Sequence, residues 1–243
     1  MDIIILGNGP SLKKVVEFGF DEFIEKCQKK NIKVICMNKI LRYFKSNNIK
    51  NIPDYYVASD SLVNIQMYDE ILEYSESFKK CFVSTPFSWS VKDNKLILCK
   101  RQCFGEIEID TDKDKNYYDN IINDITKKGN IDINEHCSTG LHSLQIAESF
   151  RPQMIFMIGM DETYDLENKP TIVVSDMHNN NYFSDSYLKS GEYISPANEG
   201  RIKTLNKHIK RSTYKIYNLS DISNIDGIRL DFDNFINNHI NVK

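Results

Sequence analysis

Residues 1–14, MDIIILGNGPSLKK, decide the fold. Ile3, Ile4, Ile5 and Leu6 make an unbroken apolar run of strand length, as in a strand buried on both faces. Gly7, Asn8, Gly9, Pro10 and Ser11 then form a turn, and apolar Val15, Val16, Phe18, Phe23 and Ile24 set a helical pattern towards Cys27. Strand, glycine turn and helix open a crossover unit. Backbone N–H groups at such a helix start, helped here by the Asn8 amide, are placed to hold a phosphate. A plain tight turn is the alternative.

The same alternation continues outward. Residues 33–36, 55–58 and 80–83 read as further strands, with a polar-faced helix over 64–77. The middle is less regular: 95–99 and 106–109 read as strands, 110–115 as a charged turn and 117–127 as a helix. Order returns at Ser138-Thr139-Gly140, which opens a helix carrying Leu141, Leu144, Ile146 and Ala147, followed by a strand over 154–158 that ends in Gly159-Met160-Asp161. Strands interleaved with helices predict an α/β fold, a Rossmann-like, doubly wound, mainly parallel sheet. The chain reads as one domain over 1–243, with a lid-like insertion over about 162–195, where aliphatic residues are few. Three strands end in polar clusters, at Gly7 to Ser11, Ser59-Asp60 and Gly159 to Asp161. In an open parallel sheet those ends line the ligand crevice.

Composition narrows the function classes. With 31 Lys and Arg against 34 Asp and Glu, and no basic block, the chain lacks the footprint of a nucleic-acid binder. No apolar run approaches the roughly 20 residues of a membrane span, and the start lacks a signal-peptide pattern, so the expected location is the cytoplasm. Cys27, Cys36, Cys81, Cys99, Cys103 and Cys137 show no CxxC spacing and read as small buried hydrophobes, not as a disulfide frame or zinc site.

The turn has two glycines of a dinucleotide fingerprint, but Leu12 stands where the third belongs, and Cys36-Met37-Asn38 replaces the acidic residue that would bind ribose hydroxyls. A GxxxxGK[ST] phosphate loop is also absent. Taken together, GNGPSL, Asn38 after the second strand, Ser59 after the third, Ser138-Thr139-Gly140 at a helix start and IGMD at 158–161 resemble the family 42 glycosyltransferases. These are bacterial sialyltransferases that use a CMP-activated sugar. The later stretch, with Asp176, His178, Tyr182-Phe183 and Lys215–Asn218, resembles more closely the relatives of domain of unknown function 115. That group occurs among surface-carbohydrate and flagellin-glycosylation proteins and is loosely related to a hydroxymethylpterin diphosphokinase.

The first resemblance implies that Gly7, Asn8, Gly9, Ser11 and Asn38 contact the CMP moiety, that Ser59 stands in for a further asparagine, and that Ser138 and Thr139 match a Thr-Ser pair. Pro10, Asp60, Gly140 and Tyr182 complete the expected nucleotide-binding set. The chain departs from that family where an arginine becomes His136, and where the histidine general base aligns near Ser195. Sugar transfer needs a base for the acceptor hydroxyl and donors for the leaving phosphate. His178, in the polar loop SDMHNNNYF, is the expected base and His136 the second choice. His142 falls on a helix as packing, while His208 and His239 read as surface residues. Tyr164 is the nearest match to a phosphate donor, with Tyr182 and Tyr187 placed to close over the site.

The resulting expectation is a metal-independent, inverting glycosyltransferase in lipopolysaccharide or capsule synthesis, taking a CMP-activated acidic sugar as donor and a surface glycan as acceptor, with no resident cofactor. Asp60, Asp161 and Asp176 keep a magnesium-dependent, pterin diphosphokinase-like enzyme in play, and Asp161 also belongs to the catalytic set. A non-catalytic nucleotide-binding partner of a glycosylation enzyme is the third reading. Association of chains and peripheral membrane contact stay open. Apolar Phe232, Phe235, Ile236 and Ile240 fall on one face, as core packing would place them.

Overall fold

The computed structural model describes residues 1–85, 96–100, 107–108, 138–163, 173–174, 182–189, 193–194 and 199–241. In chain order the elements begin with β1 (Asp2–Leu6), a single 3₁₀ turn (Pro10–Leu12), α1 (Lys13–Phe18), α2 (Phe20–Lys29), β2 (Ile32–Met37), α3 (Ile40–Asn47) and β3 (Tyr55–Ala58). Next come α4 (Ser61–Gln66), α5 (Tyr68–Ser75), β4 (Lys80–Thr85), β5 (Leu96–Lys100), β6 (Ile107–Glu108), α6 (Thr139–Ser149), β7 (Met154–Ile158) and β8 (Val173–Val174). The chain continues with β9 (Tyr193–Ile194), α7 (Glu199–Arg211), β10 (Lys215–Asn218), β11 (Ile228–Arg229) and α8 (Phe232–Phe235), the last running into a π-helical turn over Ile236–Ile240.

Among the described residues, nine strands form one sheet in the order β11-β10-β7-β1-β2-β3-β4-β5-β6, and β8 pairs with β9 separately. Every pairing from β11 to β5 is parallel, and only β6 runs antiparallel, at the edge. The expected Rossmann-like, doubly wound sheet is therefore present. Alternation within the strands builds its two cores. Ile4, Leu6, Val34, Cys36, Tyr56, Ala58, Phe156 and Ile158 face one layer, which holds Leu12, Val15, Phe23, Phe44 and Phe235. Ile3, Ile5, Ile35, Met37, Val57, Ile155 and Met157 face the other, with Leu141, Leu144 and Leu205. The uninterrupted Ile3 to Leu6 run has this cause: both of its faces are covered.

Some boundaries differ from the sequence reading, for local reasons. The first helical segment is cut in two at Gly19, whose φ of 101° lies in the left-handed region. The 64–77 helix starts at Ser61 and breaks at Met67, which leaves helical geometry and is fully buried. The fourth strand runs on to Thr85, and the edge strands fall at 96–100 and 107–108. The helix over 117–127 and the turn over 110–115 lie outside the described residues. His208 and His239 are packed, contrary to expectation: His208 Nε2 lies 3.0 Å from Glu148, and His239 packs against Phe156 and Phe235. Phe232, Phe235, Ile236 and Ile240 are buried as read. Cys27, Cys36 and Cys81 are buried thiols outside any disulfide. Among the described residues no helix is long and apolar enough to cross a membrane.

Candidate functional site

From β1 the chain builds towards β5 on one side, then returns through β7 and β10 on the other, so the sheet reverses direction between β1 and β7. In an open parallel sheet the ligand crevice is expected beyond the carboxyl ends at such a switch point. Gly7 to Ser11 follow β1, Asn38 follows β2, Ser59 and Asp60 follow β3, and Gly159 to Asp161 follow β7. These residues gather at one end of the sheet.

The two glycine loops are sealed against each other. Gly7 N–H donates to Ile158 O and Gly9 N–H to Gly159 O, each at 2.7 Å. A Cβ on Gly7 would lie 2.2 Å from Gly159 O, and one on Gly9 would lie 2.5 Å from Asp161 Oδ2. Asp161, 1% exposed, accepts from Ser11 N–H and Ser11 Oγ–H, both at 2.7 Å, while Gly159 N–H donates to Ser11 Oγ at 2.8 Å. The donors of the turn are therefore engaged inside the protein. A buried carboxylate occupies the position at Ser11 that the sequence reading assigned to a phosphate.

What the turn leaves without a partner is an acceptor. Asn8 Nδ2 donates to Met37 O at 2.9 Å, which fixes the amide and leaves Asn8 Oδ1 buried without a partner. Asn38 is held in the left-handed region, φ 54°, where asparagine is tolerated. Its N–H donates to Val57 O, its carbonyl accepts from the Tyr56 hydroxyl at 2.7 Å, and its Oδ1 is likewise buried without a partner. Two orphan carbonyl oxygens call for donors such as ribose hydroxyls or base amino groups; a phosphate cannot satisfy them.

A hydroxyl cluster joins the loop after β3 to the start of α6. Ser138 caps α6, accepting from Leu141 N–H at 3.3 Å, and Ser59 Oγ lies 3.0 Å from Thr139 Oγ1. Gly140 is buried against the Met160 side chain. His142, on the same helix, is held neutral because burial lowers its pKa to about 4.

Residues 182–189 lie across the β1–β2 side of the crevice. Phe183 N–H donates to Asn8 O at 3.1 Å, the Phe183 ring meets Tyr43, and Arg42 donates to Tyr187 O at 3.1 Å. Tyr182 and Tyr187 stack with ring centres 3.9 Å apart. Burial, then Tyr182 and Asp60, push the Tyr187 phenol well above its ordinary range. Tyr187 and Asp60 are therefore neighbours. His178, Tyr164, His136, Asp176 and Ser195 lie outside the described residues.

One ionisable group escaped the sequence reading. Glu162, with φ 49°, directly follows Asp161; its carbonyl accepts from Asn224 Nδ2 at 2.8 Å, and Asn224 N–H donates to Asp161 O. Desolvation raises its carboxyl from about 4.5 to about 7, with Arg201 opposing and Asp161 reinforcing the rise. A carboxyl poised near neutrality beside a crevice is suited to proton transfer. Its only signal in sequence was adjacency to IGMD. Lys39, 2% exposed beside Asn38, was missed in the same way.

A family model described as 6-hydroxymethylpterin diphosphokinase MptE-like matches residues 1–167, which include β1 to β7 and the loops after β1, β2, β3 and β7. No curated protein and no solved structure matches the chain.

Proposed function

The chain belongs to the MptE-like family, and from that premise we propose that it is a nucleotide-dependent transferase, a glycosyltransferase moving a CMP-activated acidic sugar onto a surface glycan. The observation that carries this reading is the pair of orphan acceptors, Asn8 Oδ1 and Asn38 Oδ1, at the switch point of the sheet. They receive the donors of a nucleoside. The hydroxyls of Ser59, Ser138 and Thr139, with the start of α6, then face the leaving phosphate. In the transfer step an acceptor hydroxyl oxygen attacks the anomeric carbon, the bond from that carbon to the phosphate oxygen breaks, and CMP departs. A base takes the hydroxyl proton. Residues 162–195 act as the lid that excludes water during this step.

The family description supports a second reading, diphosphate transfer from ATP to a pterin. A magnesium site for it would draw on Asp60, Asp161 and Asp176. Both oxygens of Asp161 are engaged by Ser11, so that carboxylate is not open to a metal.

Thermal shift with CMP, and with ATP and magnesium, separates the two, since a ligand that binds the native state raises its melting temperature. Stabilisation by CMP without metal, followed by release of CMP from a CMP-sugar in the presence of acceptor, is the expected result. A shift only with magnesium and ATP, with AMP released from ATP as the hydroxyl of a hydroxymethylpterin takes the diphosphate, would replace this reading by the second. Asn38→Gly relieves the left-handed backbone while removing the orphan oxygen. It should weaken nucleoside binding by about tenfold, the worth of one hydrogen bond.

Among the described residues Glu162 is the proposed group to take the proton, with His178 kept from the sequence reading as the other. With the carboxyl at about 7, kcat/KM rises through that pH and levels above it. Glu162→Gln removes this limb and lowers the rate by about 10²–10⁴-fold. Stability moves the other way. A carboxyl whose folded pKa is raised binds its proton more tightly when folded, so wild-type stability falls as pH climbs from about 4.5 to 7. The loss reaches up to about 3 kcal/mol. The Gln variant, free of it, should melt higher than wild type at pH 8 and close to it at pH 4.5. A flat rate profile shared by both proteins would remove Glu162 from the mechanism.

A further inference from the structure

Glu162 keeps a left-handed backbone, φ 49°, which asparagine or glycine would adopt with less strain. Such a conformation persists only where the surrounding structure over-determines it. The loop over 219–227, between β10 and β11, does so. Ser223 Oγ–H donates to Met160 O, Asn224 N–H to Asp161 O and Asn224 Nδ2 to Glu162 O, each at 2.8 Å. Three successive carbonyls after β7 are thus taken by two successive residues of one loop.

That loop is itself fixed. Arg229 donates from Nη1 to Ser220 O at 2.8 Å, and from Nη2 to Ser223 O at 2.9 Å and Ile225 O at 3.0 Å. Asn218 Nδ2 also donates to Ile225 O, and the Ile225 side chain is fully buried in the core that holds Leu141 and Leu205. Asn206, on α7, donates to Asn224 O at 3.2 Å and accepts from Asp226 N–H at 2.8 Å. The same helix carries Arg201, which acts on the Glu162 carboxyl. Loop and helix together frame that residue.

We propose that Asn224 is a positioning residue for Glu162, its backbone N–H and side-chain amide holding the left-handed turn that sets where the Glu162 carboxyl stands. Its role rests on the reading of Glu162 as proton acceptor. Without the Nδ2 donor the backbone at 162 is free to relax towards an extended conformation, which moves the carboxyl off its present site and into water. Hydration favours the charged form, so the titration midpoint falls. Among the described residues, the charged groups acting on that carboxyl are Arg201, from α7, and Asp161 beside it. Asp221 and Asp226 of the loop pair with Lys14 and Lys210. Asn224 carries no charge, so its loss acts on the midpoint through position.

The test is a carbon-13 NMR titration of the Glu162 carboxyl in the full chain, with Glu162→Gln identifying the resonance. In the wild type the midpoint lies at about 7. Asn224→Ala should lower it by about half a unit or more, at least about a threefold rise in the ratio of charged to neutral carboxyl near neutrality. Arg229→Lys, which keeps the charge but cannot serve three carbonyls, should shift it in the same direction. Arg201→Gln should shift it upward, because an attractive charge is lost while the clamp stays. Asn224 and Arg229 are exposed, so neither substitution opens a cavity. A lower melting temperature with the midpoint unmoved in both loop variants would reduce the loop to a structural support and overturn the role given to Asn224. An upward shift in Asn224→Ala would do the same. The limb of the kcat/KM profile should move with the NMR midpoint in Asn224→Ala. If Glu162→Gln kept that limb, the fault would lie with Glu162 as acceptor and not with Asn224 as the residue that positions it.

Discussion

Gly7→Ala should lower the melting temperature by about 10 °C or abolish the cooperative transition, and with it nucleotide binding. The added methyl would lie 2.2 Å from Gly159 O, 2.5 Å from Gly159 C and 2.9 Å from Met160 Cγ. Two of these atoms are backbone, held by Gly7 N–H to Ile158 O and by Gly9 N–H to Gly159 O. Neither loop can move without breaking those bonds. Overpacking of this kind costs more than about 3 kcal/mol. Gly140→Ala is the contrast, because its methyl would meet Met160 Cε at 2.8 Å, the mobile end of a flexible side chain. That variant should stay within about 1 kcal/mol of wild type, since alanine also favours the helix. Differential scanning calorimetry of the pair measures both effects. Equal melting temperatures for Gly7→Ala and Gly140→Ala would mean that the two loops do not meet as described.

Asp161→Ala should have the second-largest effect, a loss of about 3–5 kcal/mol. The carboxylate closes a chain from Gly159 N–H to Ser11 Oγ and from Ser11 Oγ–H to Asp161 Oδ1, with Ser11 N–H on Oδ2. Alanine leaves the Ser11 N–H and O–H without acceptors in a site that is 1% exposed. Asp161→Asn should cost less, about 1–2 kcal/mol. One amide oxygen can still accept from Ser11 N–H, and Ser11 Oγ can accept from the new NH₂, leaving only the hydroxyl proton unpaired. Urea denaturation of the two variants gives the graded order. If alanine and asparagine proved equally mild, the Ser11–Asp161 contact would not hold the β1 and β7 loops together. Nucleotide binding should fall with Asp161→Ala because Asn8 lies in the same turn, and its position depends on that contact.

Much of the fold was legible because strand burial leaves a local trace. Ile3 to Leu6, residues 34–37 and Met154–Ile158 are apolar runs of strand length, and turn residues mark where each stops. The gathering of Asn8, Asn38, Ser59 and Asp161 at one end of the sheet followed from the rule that ligands sit beyond the carboxyl ends of parallel strands. Single-residue environments were less legible. His208 and His239 read as surface residues because the polar residues beside them in sequence do not reveal Glu148 or the Phe156 and Phe235 rings. The Ser11 N–H looked open to phosphate because its acceptor stands 150 positions away.

The sequence by itself determined the α/β class, the mainly parallel sheet and the crevice end, since all three rest on periodicity and turn chemistry within a few residues. Only the tertiary structure decided which groups there remain unsatisfied. The carboxylate of Asp161 takes the donors of Ser11, Asn8 turns its nitrogen to Met37 and keeps its oxygen buried without a partner, and burial lifts Glu162 to about 7. Hydrogen-bond partners and desolvation depend on which distant segments the topology brings within about 3 Å, and the residues flanking a side chain do not record that.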